Sequence, residues 1–289
     1  MHSDQMAIPD AAAAPAGLHK NHANYFVPGL QRGLSVLETI AAARRPLTVS
    51  EIAARLGLTR SSVFRLVYTL EFTGFLEAVE HAKTYNLGPR VLNIGFAYLA
   101  SKDIIEVARA DLEILRDNTE VSAHLAIRDT REVLYLSCVQ SRSGFQSNMN
   151  VGGRLAAYAT PMGWLLLSDL SNRELAALFE PQEFERLTDQ TPRDLGALSQ
   201  CIARAANLGY VVSRGIMEAG GSSVSAPVFD KSGQTDVATV YVRYRNVIVT
   251  AVVQGLNQST GSKKYGPVSM ADLTTAAQTV AREVTAKIV

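Results

Sequence analysis

The sequence has few of the residues that build disulfide frameworks or metal sites. Only two cysteines, Cys138 and Cys201, occur among its 289 residues, and they lie far apart. Two cysteines so spaced match neither a disulfide scaffold nor a zinc-ligand pattern. We therefore expect a cytoplasmic protein that uses no metal and no cofactor.

Long apolar segments are also missing. An alanine run begins at Ala11, but Pro9 and Pro15 bracket it, and no stretch has the length of a membrane helix or the form of a signal peptide. We expect no membrane association, and we predict that residues 1–26 form a disordered leader.

The motifs that mark common enzymes are absent from the sequence as well. It contains no Gly-x-Ser-x-Gly, His-Glu-x-x-His, Cys-x-x-Cys or Gly-x-Gly-x-x-Gly pattern. The segment from Gly255 to Lys263 is reminiscent of a phosphate loop, but its spacing would misplace the lysine and the hydroxyl. We predict no catalytic residues, and an enzyme built on the C-terminal half is the least favoured alternative.

Charge is nearly balanced over the whole chain, with a formal net charge of +1. The charge is unevenly distributed along the chain, because residues 28–90 carry eight basic and only five acidic side chains. A length of 289 residues favours two domains. A basic N-terminal domain attached to a slightly acidic body is typical of a DNA-binding module joined to another function.

The basic region has the pattern of a winged helix-turn-helix. Helical spacing from Leu30 to Ala41, with Leu34 and Leu37 on the same face as Leu30, predicts a first helix. Thr48 and Glu51 have the spacing of a capping box for a second helix that ends at Gly57. A third helix follows Thr59, and residues 75–87 have the pattern of a hairpin.

The third helix offers a polar surface opposite its apolar face. Its exposed arc combines short hydroxyls and cations near the N-terminus, as a recognition helix requires. If this helix were considered alone, its cations would be interpreted as ordinary solvated charges. Only the order of the surrounding elements favours a DNA-binding surface. The predicted DNA-binding residues, including two from the hairpin tip, are Thr59, Arg60, Ser61, Ser62, Phe64, Arg65, Tyr68, His81 and Lys83.

Beyond residue 90 the pattern mixes helices and strands. One or two helices are predicted from Val91 to Asn118, and helices at 161–170, 172–179, 192–208 and 269–288, with Thr191 capping the 192–208 helix. Strands are predicted at 121–127, 133–139, 210–213, 223–229 and 237–244. The fold class is therefore a mixed α/β (α+β) protein in which an N-terminal winged helix-turn-helix precedes a domain built on one sheet.

Several separated motifs resemble the IclR-type transcription regulators. They are Ser50–Leu58, Ser61–Leu66, Tyr85–Pro89, Val151–Arg154, Ala159–Gly163, Gly209–Tyr210 and Ser225–Asp230. The resemblance covers residues 27 to 289, and the entry segment Phe26–Leu34 is most similar to the aromatic-acid-responsive branch. It implies a GAF-like effector-binding domain, a double-stranded DNA operator and a homodimer or tetramer. The domains would be 27–89 for DNA binding, 90–118 for linker and dimerisation helices, and 119–289 for the effector.

The resemblance also carries over effector-binding positions. These are Pro161, Met162, Ser213, Ser223, Val240 and Val242, with His124 and Arg154 as possible partners of a carboxylate. Ser213 and Ser223 stand where the family often has Asp and Cys, and both valines stand where carboxylate-binding members have Ser. A more apolar pocket would fit an aromatic or larger small-molecule effector. Two alternatives stay open: the small-acid site is lost, or the regulator senses a protein partner.

Overall fold

The computed structural model describes residues 22–79, 82–142, 147, 149–179, 184–216, 221–228, 247–254 and 270–287. The chain divides into two compact units, Met1–Ser101 and Lys102–Val289. Within the described residues, no helix is both long and apolar enough to cross a bilayer. His81, Val240 and Val242, together with the predicted strand 237–244, lie outside the described residues.

The first unit consists of helices around a small sheet. Its elements are α1 (His22–Tyr25), α2 (Pro28–Ala43), β1 (Leu47–Thr48), α3 (Val49–Leu56), α4 (Arg60–Phe72), β2 (Leu76–Val79), β3 (Thr84–Leu87) and α5 (Arg90–Ala100). The three strands pair antiparallel in the order β1-β3-β2. The predicted helix-turn-helix and wing are therefore present.

The core of the first unit lies between α2, α3, α4 and the sheet. Val36, Ile52 and Val63 are fully buried there. The predicted face of α2 is only partly buried: Ile40, which belongs to it, enters the core, but Leu30 and Leu34 are 64% and 52% exposed, and Val36, outside the predicted face, is fully buried. Both faces of this helix are apolar, so spacing alone could not choose between them.

The second unit is a six-stranded antiparallel sheet with helices on both faces. Its elements are α6 (Asp103–Thr119), β4 (Ser122–Asp129), β5 (Glu132–Val139), β6 (Arg154–Ala156), a 3-10 turn (Ala157–Ala159), α7 (Pro161–Leu166), α8 (Asn172–Phe179), α9 (Leu195–Leu208), β7 (Val211–Arg214), β8 (Gly221–Val228), β9 (Val247–Gln254) and α10 (Met270–Lys287). The strand order is β6-β5-β4-β9-β8-β7. The mixed α/β fold class is thus confirmed.

Each face of the sheet is covered by a different helical layer. On one side α6 and α10 pack together and against β4, β5, β8 and β9, and on the other α7 packs on the sheet and contacts α9. Strand β4 is buried on both faces, because Ala126 belongs to the core beneath α7 while Ala123 and Leu125 point to the opposite side. The second layer matters here because it encloses the candidate ligand site.

Three sequence expectations for this unit were wrong in detail. Helix α7 ends at Leu166 rather than residue 170, and strand β9, which lies between β4 and β8, was missed. Helix α9 begins at Leu195 with Asp194 as its cap, so Pro192 precedes the helix and Thr191 does not cap it. The Thr191 hydroxyl instead donates to the carbonyl of Ile216 at 3.0 Å.

Candidate nucleic-acid interface and ligand site

The candidate DNA-binding surface is the outer face of α4. Its second turn is anchored by Val63 and Val67, which are both fully buried. A helix has 3.6 residues per turn, so the side chains opposite that face must point to solvent. Ser61 and Arg65 are exposed on this arc, and Arg60 is exposed at the first position of the helix.

Two aromatic side chains share the same exposed arc. Phe64 is 56% and Tyr68 is 62% exposed, and neither belongs to the core of the unit. Exposed aromatics of this size are unusual on a helix unless another surface covers them. The candidate surface therefore combines cations, a hydroxyl and apolar rings on one helix.

The hydroxyls at the start of α4 have different roles. The Thr59 side chain caps the helix by accepting from the backbone N–H of Ser62 at 3.3 Å, and its own hydroxyl donates to Ser62 Oγ at 2.9 Å. Ser61 Oγ lies 3.2 Å from Thr59 Oγ1 but is exposed. Thr59 and Ser62 thus set the helix start, whereas Ser61 also faces outward.

Helix α4 follows α3 through a short turn, and α3 is capped at both ends. Gly57 adopts the left-handed conformation, with φ of 62°, and closes α3. At the other end of α3, the Thr48 hydroxyl accepts from the Glu51 N–H at 3.2 Å and the Glu51 carboxylate accepts from the Thr48 N–H at 2.8 Å. Both predicted features of α3 are therefore confirmed.

The wing places one predicted cation at its tip. Lys83 is exposed in the turn between β2 and β3, with φ of 47°. Within the described part of the chain, neither Lys83 nor Arg60 nor Arg65 forms an ion pair. These three cations remain available to phosphates.

The candidate ligand site is the face of the second unit's sheet that lies beneath α7. Ser213 and Ser223 are directly opposite each other on β7 and β8. Ser213 shares its face with Val211, two residues earlier, which belongs to the core that contains Met162. The structure therefore brings Pro161, Met162, Ser213 and Ser223 to one side of the sheet.

His124 lies on the same face, on the central strand β4. Its ring meets Tyr135 edge-on with centroids 5.6 Å apart, and Tyr135 and Ala126 both belong to the core beneath α7. The imidazole is 0% exposed, and neither ring nitrogen has a hydrogen-bond partner among the described residues. Burial lowers the pKa of His124 to about 4, so the ring is neutral at pH 7.

Strand register adds polar positions that the sequence did not single out. Ser225 on β8 pairs with Thr250 on β9, and Thr250 pairs in turn with His124 on β4 and so aligns with Cys138 on β5. Ser225 is fully buried. Only the pairing of strands that are distant in the sequence could have revealed this alignment.

Arg154 is placed away from this site. It lies on β6, at the opposite edge of the sheet from Ser213, and pairs with Leu134 rather than with the α7-facing Val133 or Tyr135. Its guanidinium donates to Asp129 at 2.6 Å and to Glu132 at 2.9 Å. Through these two ion pairs Arg154 stabilises the β4–β5 hairpin.

Both units match models of one protein family. Residues 29–80 match the IclR helix-turn-helix domain, and residues 96–257 match the C-terminal domain of bacterial transcriptional regulators of the IclR type. The second match alone spans more than half of the chain. The predicted family is thus confirmed on both halves of the chain.

Two relatives bear the names of transcriptional regulators. The chain is 31% identical over 210 residues to the Pca regulon regulatory protein of Pseudomonas putida, covering 72% of each chain. It is 30% identical over 218 residues to the p-hydroxybenzoate hydroxylase transcriptional activator of Acinetobacter baylyi, covering 74% of this chain and 80% of that one.

Solved structures share the fold over nearly the whole chain. A protein from Rhodococcus sp. RHA1 is 28% identical with a TM-score of 0.70, covering 91% of this chain and 98% of the other. An IclR homologue from Microbacterium hydrocarbonoxydans, solved with 4-hydroxybenzoate, is 22% identical with a TM-score of 0.70, covering 90% and 98%.

Proposed function

Because the chain belongs to the IclR family of DNA-binding transcriptional regulators, and not to an enzyme family, we propose that its effector is an aromatic acid carrying a ring hydroxyl. The observation that carries this proposal is the fully buried imidazole of His124 on the apolar face beneath α7, which has no hydrogen-bond partner among the described residues. A buried polar group without a partner is costly, so a hydrogen-bonding ligand would compensate it.

The neutral state of His124 sets its role. With a pKa of about 4 it carries no charge at pH 7, so it offers one donor and one acceptor rather than a cation. A hydroxyl group can pair with either the donor or the acceptor nitrogen, whereas a carboxylate can pair only with the donor. We therefore assign His124 to the ring hydroxyl rather than to the acid group.

The serines at the other side of the face suit the carboxylate. Ser213 and Ser223 each supply a hydroxyl that can donate to a carboxylate oxygen, and Met162 with Tyr135 supplies apolar contact for the ring. Strand β8 is two strands from β4, about 10 Å at the usual spacing. An aromatic ring substituted at both ends is suited to such a span.

The relatives support the same ligand class. One is named for p-hydroxybenzoate hydroxylase, and a protein of the same fold was solved with 4-hydroxybenzoate. The valines at 240 and 242, in place of serines, agree with an apolar rather than a small-acid pocket.

The test compares two ligands that differ by one hydroxyl. We expect 4-hydroxybenzoate and benzoate both to bind the full chain in calorimetry and to raise its melting temperature. In His124→Leu, binding of 4-hydroxybenzoate should weaken roughly tenfold while binding of benzoate stays unchanged. Leucine removes a desolvated polar group, so the fold should persist, and benzoate binding serves as the check.

Two results would contradict the proposal. Failure of the wild-type protein to bind either acid would exclude this effector class. An equal loss of both acids in His124→Leu would show that the imidazole has no specific contact with the hydroxyl.

For DNA, we propose that Arg60, Ser61, Phe64, Arg65 and Tyr68 face the major groove and that Lys83 contacts a neighbouring phosphate. Support comes from their exposure on one arc and at the first position of α4, and at the wing tip. Thr59 and Ser62 contribute by holding the helix start. His81 keeps its predicted role as a second wing contact.

A further inference from the structure

A cleft lies in the C-terminal unit at the edge of the core beneath α7, where Trp164 and Val211 line it. Its volume is about 640 Å³, and it lies between the loop before α9, one side of α9 and the edge strand β7. None of His124, Ser213 and Ser223 lines it. A volume of this size is in the range of cavities that hold small organic ligands.

Three exposed arginines from three different segments line this cleft. Arg193 comes from the loop, Arg204 from α9 and Arg214 from β7. Among the described residues, no aspartate or glutamate lines the cleft, and none of the three guanidiniums forms an ion pair. In a chain of formal net charge +1, this is a local concentration of positive charge.

The arginines are held in place by regular elements. Gln200, Arg204 and Leu208 recur at four-residue intervals, so they share one side of α9. Arg214 alternates with the buried Ser213 and is exposed at the sheet edge. Like charges repel, so elements that bring three of them together favour a counter-ion at that place.

Apolar and aromatic side chains make up most of the remaining lining, beside the uncharged polar residues Gln190, Thr191 and Gln200. Trp164 is fixed there by a 2.8 Å hydrogen bond from its indole N–H to the carbonyl of Tyr158, and Tyr210 and Ile216 also line the cleft. Burial raises the pKa of the Cys201 thiol at the cleft, so this residue is uncharged at pH 7. The lining suits a ligand with an apolar body and more than one negative charge.

We propose that this cleft is a second ligand site, which binds a small organic polyanion through Arg193, Arg204 and Arg214. Guanidinium groups bind two oxygens of a carboxylate or of a phosphate in the same bidentate way, so the shared chemistry is an oxyanion with at least two acceptor oxygens. The site differs from the proposed effector site, where a neutral imidazole and two hydroxyls meet a single acid group. A regulator with both sites would respond to two metabolites.

The chain provides its own reporter for a test. Trp164 is the only tryptophan of the sequence and lines the cleft, so its fluorescence should change when the cleft is filled. Phthalate serves as an aromatic dicarboxylate, phenyl phosphate as an aromatic phosphate and benzoate as a monoanion. Titration of the full chain with each probe, followed by calorimetry, distinguishes carboxylate from phosphate ligands.

We expect phthalate or phenyl phosphate to bind and to change the Trp164 fluorescence. Arg204→Gln and Arg214→Gln should each weaken that binding about tenfold or more, because a charge-assisted contact is lost. Arg173→Gln, an exposed arginine of α8 that does not line the cleft, is the matched control and should bind like the wild type.

The outcome is separable from that of the effector site. In His124→Leu, polyanion binding should be unchanged, whereas 4-hydroxybenzoate binding weakens. The second site is refuted if neither polyanion binds, if the cleft variants bind them like the wild type, or if Arg173→Gln weakens binding as much as they do.

Discussion

At the level of single residues, helix α4 shows how capping and recognition are divided among neighbouring side chains. Thr59 and Ser62 are hydrogen-bonded to each other, so their hydroxyls stabilise the helix start. Arg60 and Arg65 are exposed and make no ion pair with any described residue. Substitutions at these two pairs should therefore have different consequences.

We predict that Arg65→Ala weakens binding to the operator by roughly tenfold or more while leaving helicity unchanged, because an exposed guanidinium adds little to folding. Arg60→Ala and Ser61→Ala should change sequence preference more than general affinity, since base contacts discriminate by about 1–3 kcal/mol. Gel-shift titrations with operator and with random DNA separate these effects.

The matched control is Arg55→Ala, on the neighbouring helix α3. This substitution should leave operator affinity near the wild-type value. Operator affinity that survives Arg65→Ala would remove Arg65 from the interface, and equal losses on operator and random DNA would restrict Arg60 and Ser61 to phosphate contacts.

At the level of secondary-structure elements, the reciprocal cap makes the stability of α3 depend on pH. The Thr48 backbone N–H and the Arg45 side chain donate to Glu51 and lower the pKa of its carboxyl group to about 2. A carboxyl group with a pKa depressed on folding stabilises the folded state above its unfolded pKa, near 4.5. That contribution is lost as the pH falls from about 4.5 to about 2.

We therefore predict that Glu51→Gln lowers the local stability of α3 by about 1 kcal/mol at pH 7, the usual value of a helix cap. The difference from the wild type should shrink as the pH falls towards 3, because protonated Glu51 resembles glutamine. Hydrogen exchange of α3 amides at several pH values measures this local stability.

Glu38→Gln provides the control, since Glu38 is exposed on α2 and forms no ion pair with the described residues. It should leave exchange at α3 unchanged at every pH. A loss in Glu51→Gln that stays constant from pH 7 to pH 3 would show that charge on Glu51 does not contribute.

At the level of the whole molecule, α5 is an apolar helix without a cover. None of its residues is buried, and Leu92, Ile94, Phe96 and Tyr98 are between 41% and 63% exposed. A contiguous exposed apolar surface of this kind usually marks an interface. Helix α6, by contrast, is already packed against α10 and the sheet.

We propose that α5 pairs two copies of the chain, and we predict that Ile94→Glu combined with Phe96→Glu yields a monomer. Operator affinity should fall by at least a hundredfold, because one half-site replaces two. Sedimentation measures the oligomeric state, and binding of 4-hydroxybenzoate should remain.

Ile94→Val with Phe96→Leu is the matched control and should sediment like the wild type. A dimer that persists with both glutamates would place the interface elsewhere. The same sedimentation experiment shows whether dimers associate further into tetramers.

Structural features could be predicted from the sequence where the contacts that form them are local in the chain. The capping box at Thr48 and Glu51, the left-handed Gly57 and the hairpin at β4 and β5 could be predicted because neighbours along the chain make their hydrogen bonds. The family followed from motifs in order. The cap of α9 was misassigned because Thr191 and Asp194 are both good caps, and the distant carbonyl of Ile216 engages Thr191.

The tertiary structure alone decided which residues far apart in the chain share a surface. Pairing of β7 with β8 and of β9 with β4 brings Ser213, Ser223 and His124 to one face and sends Arg154 to the other. It also gathers Arg193, Arg204 and Arg214 around one cleft. Periodicity determines that a strand has two faces, but only the register between strands determines which face is buried and what lies opposite.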